Sequence, residues 1–223
     1  MKIKALLISF VIGVSLCFSH GARATEETQS SAWLHRLDET IEVISMWSQY
    51  LEDQNVKRSD PRWETIVPNA IHLINALEEF DCLIPYKQLP PEALLDLHLI
   101  LGVIPIHESG LKPNAIGKRG EIGLFQIKDS YPRMGHSRKE VLNNSQLQIR
   151  TGVRWFLKHM SVCKNLGHGE WSDWYWTLPM SIYMAGVNKG QKNGRCFAIR
   201  GAKRRLKTFK KYKKLVRAEL RSH

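Results

Sequence analysis

The 223-residue chain has little cysteine, 4 residues in all, and few acids, with 21 Asp and Glu against 33 Lys and Arg. The cysteines, Cys17, Cys82, Cys163 and Cys196, show none of the close Cys/His spacings that hold a metal. Neither a structural metal nor a cofactor is called for. A second long apolar run is also missing. After ALLISFVIGVSLCF near the start, no stretch is apolar for long enough to cross a bilayer. There are no internal repeats, and strand signals are few. These absences argue against a metalloprotein, a multi-span membrane protein, a repeat array and a sheet-based fold.

The one apolar run reads as a removable leader. MKIK is basic, the run of 14 residues follows, and ARA at 22–24 offers a small-x-small cleavage site after Ala24. Leu16 stands before Cys17 where a lipid-modified leader wants a small residue. The expected location is therefore periplasmic or secreted. Three basic residues and no acids precede residue 25, so the remaining chain has 30 basic and 21 acidic residues, a net charge of +9. Such a surface favours anionic partners. Three cysteines remain after processing, and export permits disulfides. The favoured pair is Cys163–Cys196, because both flank the last part of the core; three free thiols is the alternative.

Most of the chain carries helical periodicity. Leu34, Leu37, Ile41, Ile44, Trp47 and Leu51 recur at spacings of three and four. Asp60-Pro61 suits a helix start, Pro68 is expected to bend or break that helix, and the pattern resumes over Ala70–Phe80. PYKQLPPE at 85–92 is a linker. From Pro91 to Glu108 the residues are almost all apolar, as in a buried helix, with Pro105 expected to kink its last turn. Gly110, Gly117, Gly120 and Gly123 then make a loop, with at most a short strand or hairpin near IGLFQI. Ser137-x-x-Glu140 is a capping-box signature. Gln146–Met160 and the segment 173–186, capped by Asp173, are further helices. The segment 200–221 has eleven basic residues and one acid, with Leu206, Phe209, Val216 and Leu220 in a narrow apolar stripe. It is either a basic amphipathic helix for an anionic membrane or cell-wall polyanion, or a helix docked on the core by that stripe.

The chemistry concentrates in HESGLKPNAIGKRGEIGLFQI, residues 107–127. Glu108 sits where a strongly apolar helix gives way to a glycine-rich loop. Apolar burial raises a carboxyl pKa by disfavouring the anion, which lets an acid deliver a proton near neutral pH. Glu121 is a second acid nearby, flanked by Lys118 and Arg119, and an exposed loop position is its simplest reading.

Four segments together resemble the lytic transglycosylases of the SLT type in the lysozyme-like superfamily. Glu108-Ser109-Gly110 with Pro113 and Ala115 is similar to E-S-G-x-x-P-x-A. Gly123-Leu124-Phe125-Gln126 is similar to G-L-M-Q. Ile149, Gly152 and Leu157 fit the helix that follows, and Tyr183, Ala185 and Gly186 fit A-Y-N-A-G. The resemblance spans roughly 92–190. It implies a lysozyme-like α+β core with a very small β element, within a chain that is mainly α by its periodicity; the helical region before it and the basic tail after it are not covered. The expected division is a signal peptide at 1–24, a helical N-terminal extension at 25–90, the transglycosylase domain at 91–199 and a basic helix or tail at 200–223.

The resemblance also implies roles. Glu108 would protonate the glycosidic oxygen between N-acetylmuramic acid and N-acetylglucosamine of peptidoglycan strands. As a carboxylate it would then take the proton of the muramoyl 6-hydroxyl, leaving a 1,6-anhydro end, with the N-acetyl group stabilising the intermediate. Ser109 would orient the loop, Gly123, Leu124, Phe125 and Gln126 would shape the sugar cleft, and Tyr183 would contact Glu108 or substrate. No metal, cofactor or nucleic acid enters. Two departures stand out: Phe125 replaces methionine, and Met184 replaces the asparagine of A-Y-N-A-G. A glycan-binding protein that does not cut is one alternative. A hydrolase using Glu108 with Glu121 as second carboxylate is another, since lysozymes carry an acid near that position. Trp171 and Trp174 are candidates for stacking on a sugar ring.

Overall fold

The computed structural model describes residues 26–84, 89–128, 135–161, 163, 172–185, 191–192, 195–196 and 198–221. The expected leader and the first half of the linker at 85–92 lie outside them. The fold is mainly helical, as the periodicity implied. Helices α1 (Glu26–Asp53) and α2 (Arg62–Glu79) are followed by a short turn α3 (Pro91–Leu94) and the central α4 (Leu97–Ser109). Then come α5 (Arg138–Leu142), α6 (Ser145–Met160), α7 (Thr177–Ala185) and α8 (Arg200–Arg221). A 3-10 turn over Asp173–Trp176 leads into α7. Strands β1 (Gln191–Lys192) and β2 (Arg195–Cys196) form a two-residue antiparallel pair, Gln191 facing Cys196. Residues 37–223 form one compact unit; of the other, residues 26–36 are described, all helical.

Helix α4 is the axis of that unit. Every residue from Leu97 to Ile106 is buried, which is why its sequence shows no polar face. It meets α1 closely at Gly102. The Met46 methyl occupies the space a Cβ there would need, at 2.3 Å, and the Trp47 indole N–H donates to the Gly102 carbonyl at 2.7 Å. Burying a side chain of this size contributes about 1.5–3 kcal/mol. Pro105 stays inside the helix, and its carbonyl becomes an end-cap. That oxygen accepts from the N–H groups of Gly110 and Leu111 and from the Ser109 hydroxyl at 3.0 Å. Gly110 ends the helix at φ 61°, a left-handed conformation that glycine adopts without a steric cost.

Helix α2 corrects the expectation at Pro68. It runs unbroken from Arg62 to Glu79 with Pro68 inside. Pro68 stands on the exposed side, where water can take the carbonyl that loses its partner. Asp60 does accept the N–H of Arg62 at the helix start, at 3.0 Å. The capping box of α5 is present in both directions: Glu140 N–H donates to Ser137 Oγ at 3.2 Å and Ser137 N–H to Glu140 Oε2 at 2.6 Å. Cys163 and Cys196 form a disulfide that ties the end of α6 to β2, while Cys82 is free and exposed.

The basic segment is a helix docked on the core. Ala202, Leu206, Phe209, Tyr212 and Val216 of α8 are buried, and the helix packs against α4 and α7. Acids hold its cationic side in place. Asp96, 2 % exposed, takes Lys213 and, at 2.6 Å, Arg217. Asp53 takes Lys211 at 2.6 Å and the Tyr212 hydroxyl at 2.9 Å. Lys203, Arg204, Lys207, Lys210 and Lys214 remain exposed. No helix among the described residues is long and apolar enough to cross a membrane.

Candidate active site

The end of α4, the glycine loop, α7 and α8 close around a pocket of about 260 Å³. Its lining is Glu108, Glu121, Gln126, Tyr183, Met184 and Arg205. Glu108 enters from the last turn of α4, with 19 % of its side chain exposed. Its Oε1 accepts from Arg205 Nη2 at 2.5 Å. Burial pushes the Glu108 carboxyl up, the Arg205 charge and hydrogen bond pull it down, and the Glu121 charge adds to the upward push; the net direction is up. Such a group is protonated at a higher pH than an ordinary glutamate, as a general acid requires.

The loop is shaped by its own backbone. Gly117 N–H donates to the Glu121 carbonyl at 2.7 Å and Gly123 N–H to that of Ala115 at 2.9 Å. The strand or hairpin expected near IGLFQI is reduced to two isolated bridges, Ile116 with Ile122 and Ile122 with Ile127. Gln126 sits at φ 48°, and its amide donates to the carbonyls of Ala115, at 3.1 Å, and Gly123, at 2.9 Å. With its N–H groups committed to the loop, its carbonyl oxygen remains as an acceptor beside the pocket. Glu121 Oε2 accepts from Arg119 N–H at 2.9 Å. A Cβ on Gly117 would stand 2.5 Å from that same oxygen and 2.6 Å from Gln126 Oε1.

Other residues picked out by sequence support the pocket from behind. Leu124 and Phe125 are each 1 % exposed and belong to the core. Phe125 acts on the site through its backbone: its carbonyl accepts from the Tyr183 hydroxyl at 2.6 Å, tying the loop to α7. Its ring lies over Gly152, where a Cβ would be 2.1 Å from a ring carbon. Gly123, at φ 74°, presses on Gln148 in the same way. Ser109 turns back to Pro105 and is not among the pocket lining. Trp171, the Trp174 side chain and Gly186 lie outside the described residues. Among those residues no group of three or more His, Cys, Asp or Glu is arranged to hold a metal ion.

Sequence reasoning passed over two residues that matter here. Gln148, 2 % exposed, accepts from Leu124 N–H at 2.8 Å and donates to the carbonyls of Pro113, Val141 and Leu142, each at 3.0 Å. It lies on one face of α6 with Gly152 and Phe156, so a glutamine in an inward stripe was the available signal. Arg205, 9 % exposed, lies in line with Ala202, Phe209 and Tyr212. An arginine inside an apolar stripe is the mark of a buried ion pair. Met184, noted as a departure, lines the pocket and lays its methyl over Gly201, where a Cβ would be 2.2 Å away.

No curated protein and no solved structure matches the chain. A family model does: that of the transglycosylase SLT domain, over residues 95–204. The matched region runs from the start of α4 into α8 and holds every pocket residue except Arg205, which directly follows it. Residues 95–204 are thus a member of the transglycosylase SLT domain family, whose activity is of the peptidoglycan-cleaving lytic transglycosylase type.

Proposed function

We propose that the protein cleaves the bond between N-acetylmuramic acid and N-acetylglucosamine in peptidoglycan without adding water, and that it does so outside the cytoplasm. The observation that carries this reading is the placement of Glu108. It is a largely buried carboxyl at the wall of a pocket, raised above the ordinary range, inside a transglycosylase SLT domain. Glu108 gives its proton to the bridging oxygen as the glycosidic bond breaks. The resulting carboxylate takes the proton of the muramoyl 6-hydroxyl as that oxygen bonds to the anomeric carbon. Gln126 and Tyr183 face the sugar from the loop and from α7, while Gly123–Phe125 set the loop's shape. Ser109 acts from outside the pocket by fixing the turn after Glu108. The exposed cations of α8 give an anionic wall or membrane surface something to hold.

Glu121 favours a second reading, because it lines the same pocket and bears on the charge of Glu108. There it is the second carboxylate of a hydrolase. Digestion of purified wall separates the two: anhydro-muramoyl ends are expected, and reducing ends alone would sink the first reading. Glu108→Gln should lower cleavage by about 10²–10⁴-fold, the usual contribution of a general acid. Undiminished cleavage would remove Glu108 from the mechanism. The same variant, still able to bind wall, reads the cationic face: binding should weaken as salt rises.

A further inference from the structure

An acid that must hold a proton is in direct contact with a guanidinium, and this pairing has a chemical use. We propose that Arg205 is a positioning residue of the cleavage reaction: it fixes the Glu108 carboxyl against α8 and serves as counter-charge to the carboxylate that exists between the two proton transfers. The inference rests on the reading of Glu108 as acid and then base.

The geometry makes Arg205 a built part of the site. Nη2 donates to Glu108 and Nη1 to the Gly201 carbonyl at 3.4 Å, while Nε has no hydrogen-bond partner among the described residues. The residue is 9 % exposed, so its side chain is enclosed by the site and not free in solvent. Helix α8 is itself anchored at three levels: by Thr208, which hydrogen-bonds His107 at 2.7 Å, by Asp53 and by Asp96. Beyond Arg205 and Glu121, the polar groups lining the pocket are Gln126 on the loop and Tyr183 on α7. His107, next to Glu108 on α4, is pushed down to about 4 by burial and by the charges of Arg205 and Arg204, so it adds no positive charge at neutral pH. Arg205 is thus the cation in contact with the carboxyl.

The reaction needs both forms of Glu108. It begins protonated, loses that proton to the leaving oxygen, and regains one from the 6-hydroxyl, ending as it began. No water is consumed and no other donor is required. In a buried pocket the intervening carboxylate would be costly on its own. Arg205 offsets that cost, and burial in turn keeps Arg205 from holding Glu108 ionised throughout. Opposed effects of this kind set a working acidity between those of a free and a fully buried carboxyl.

The test combines a titration that needs no activity with a rate profile that does. The carboxyl carbon of Glu108, assigned by its loss in Glu108→Gln, is followed by NMR against pH in the wild type, Arg205→Gln and Arg205→Lys. Losing an opposite charge at this distance should raise the Glu108 midpoint by about 1–3 units in Arg205→Gln. Arg205→Lys keeps the charge and should stay near the wild type; it also guards against a Gln variant that folds poorly. On purified wall the alkaline limb of cleavage should move up by the same interval. The plateau rate should fall on the order of 100-fold, as when a charge-stabilising donor is removed. An unmoved midpoint in a folded Arg205→Gln overturns the pairing. A moved midpoint with an unmoved limb overturns the catalytic use. A wild type that leaves wall uncut sinks the proposed function and this role together, while the titration still decides whether the pair sets the acid's charge.

Discussion

The two walls of the pocket are built by opposite strategies. On the helical wall, Glu108 meets a partner 97 residues away in sequence, and α8 is held by pairs such as Lys213 with Asp96, 117 residues apart. On the loop wall, Gln126 binds carbonyls 3 and 11 residues away, and the glycines close on near neighbours. Charges fix the first wall; the second is fixed by amide-to-carbonyl bonds within the loop, backed by the Gln148 side chain and the Tyr183 hydroxyl. Burial does most to raise Glu108, with Arg205 opposing from the helical wall and Glu121 adding from the loop; on the proposed reading the loop wall sets the shape offered to a sugar. Long-range pairs require the fold to be complete, whereas local bonds form with the loop itself.

That contrast is open to test, beginning where the largest effect is expected. Gly152→Ala should break the loop wall from behind. Its methyl would fall 2.1 Å from the ring of Phe125, which is 1 % exposed and has nowhere to go. Overpacking of this kind costs about 1–3 kcal/mol or more, and denaturant melts should show it together with loss of wall cleavage. A fully stable variant would mean the ring is free to move.

Asp96→Ala attacks the helical wall away from the pocket. It removes the buried anion from beneath Lys213 and Arg217, which are 22 % and 34 % exposed. The cost should be about 2 kcal/mol, below the ~3–5 of a fully buried pair because both cations reach water. Wall cleavage should fall with it as α8 loosens and Arg205 loses its position; stability lost with cleavage untouched would separate α8 from the site. Gly117→Ala should have the smallest effect on folding. The two atoms it meets most closely are the side-chain ends of Glu121 and Gln126, which can shift, with Glu121 Cβ next at 3.1 Å, so stability should change by about 1 kcal/mol or less. Cleavage should nevertheless drop on the order of 10-fold, since groups facing the substrate are displaced. Equal losses in both measurements would erase the distinction between a shape-setting and a fold-setting residue.

The fold was legible wherever one short segment carries its own instruction. Ser137 and Glu140 cap each other because the box needs three residues and no tertiary context. The apolar run Leu99–Ile106 before Glu108 made α4 a buried helix, and the two cysteines flanking the end of the core proved to be bridged. Pro68 misled because its cost depends on whether the lost hydrogen bond faces core or water, which local sequence does not state. Of the pocket lining, Glu108, Glu121, Gln126 and Tyr183 were legible, although Ser109, Gly123, Leu124 and Phe125, also singled out, stand outside it. Arg205 was not, because its residue type fits the charged run around it and only its register betrays it. Gln148 stayed hidden for the same reason: its work is done against Leu124, Pro113 and Leu142, segments that become neighbours only on folding.

The 97 residues between Glu108 and Arg205 also impose an order in time. A ribosome adds Glu108, the whole glycine loop and Tyr183 before it reaches Arg205. A partly synthesised chain therefore holds the acid without its counter-charge, and α4 without the helix that covers it. If the pair works as inferred, competence arrives abruptly, when α8 settles, rather than growing as the chain lengthens. On the proposed reading, a chain assembled in that sequence cuts no wall until α8 is in place.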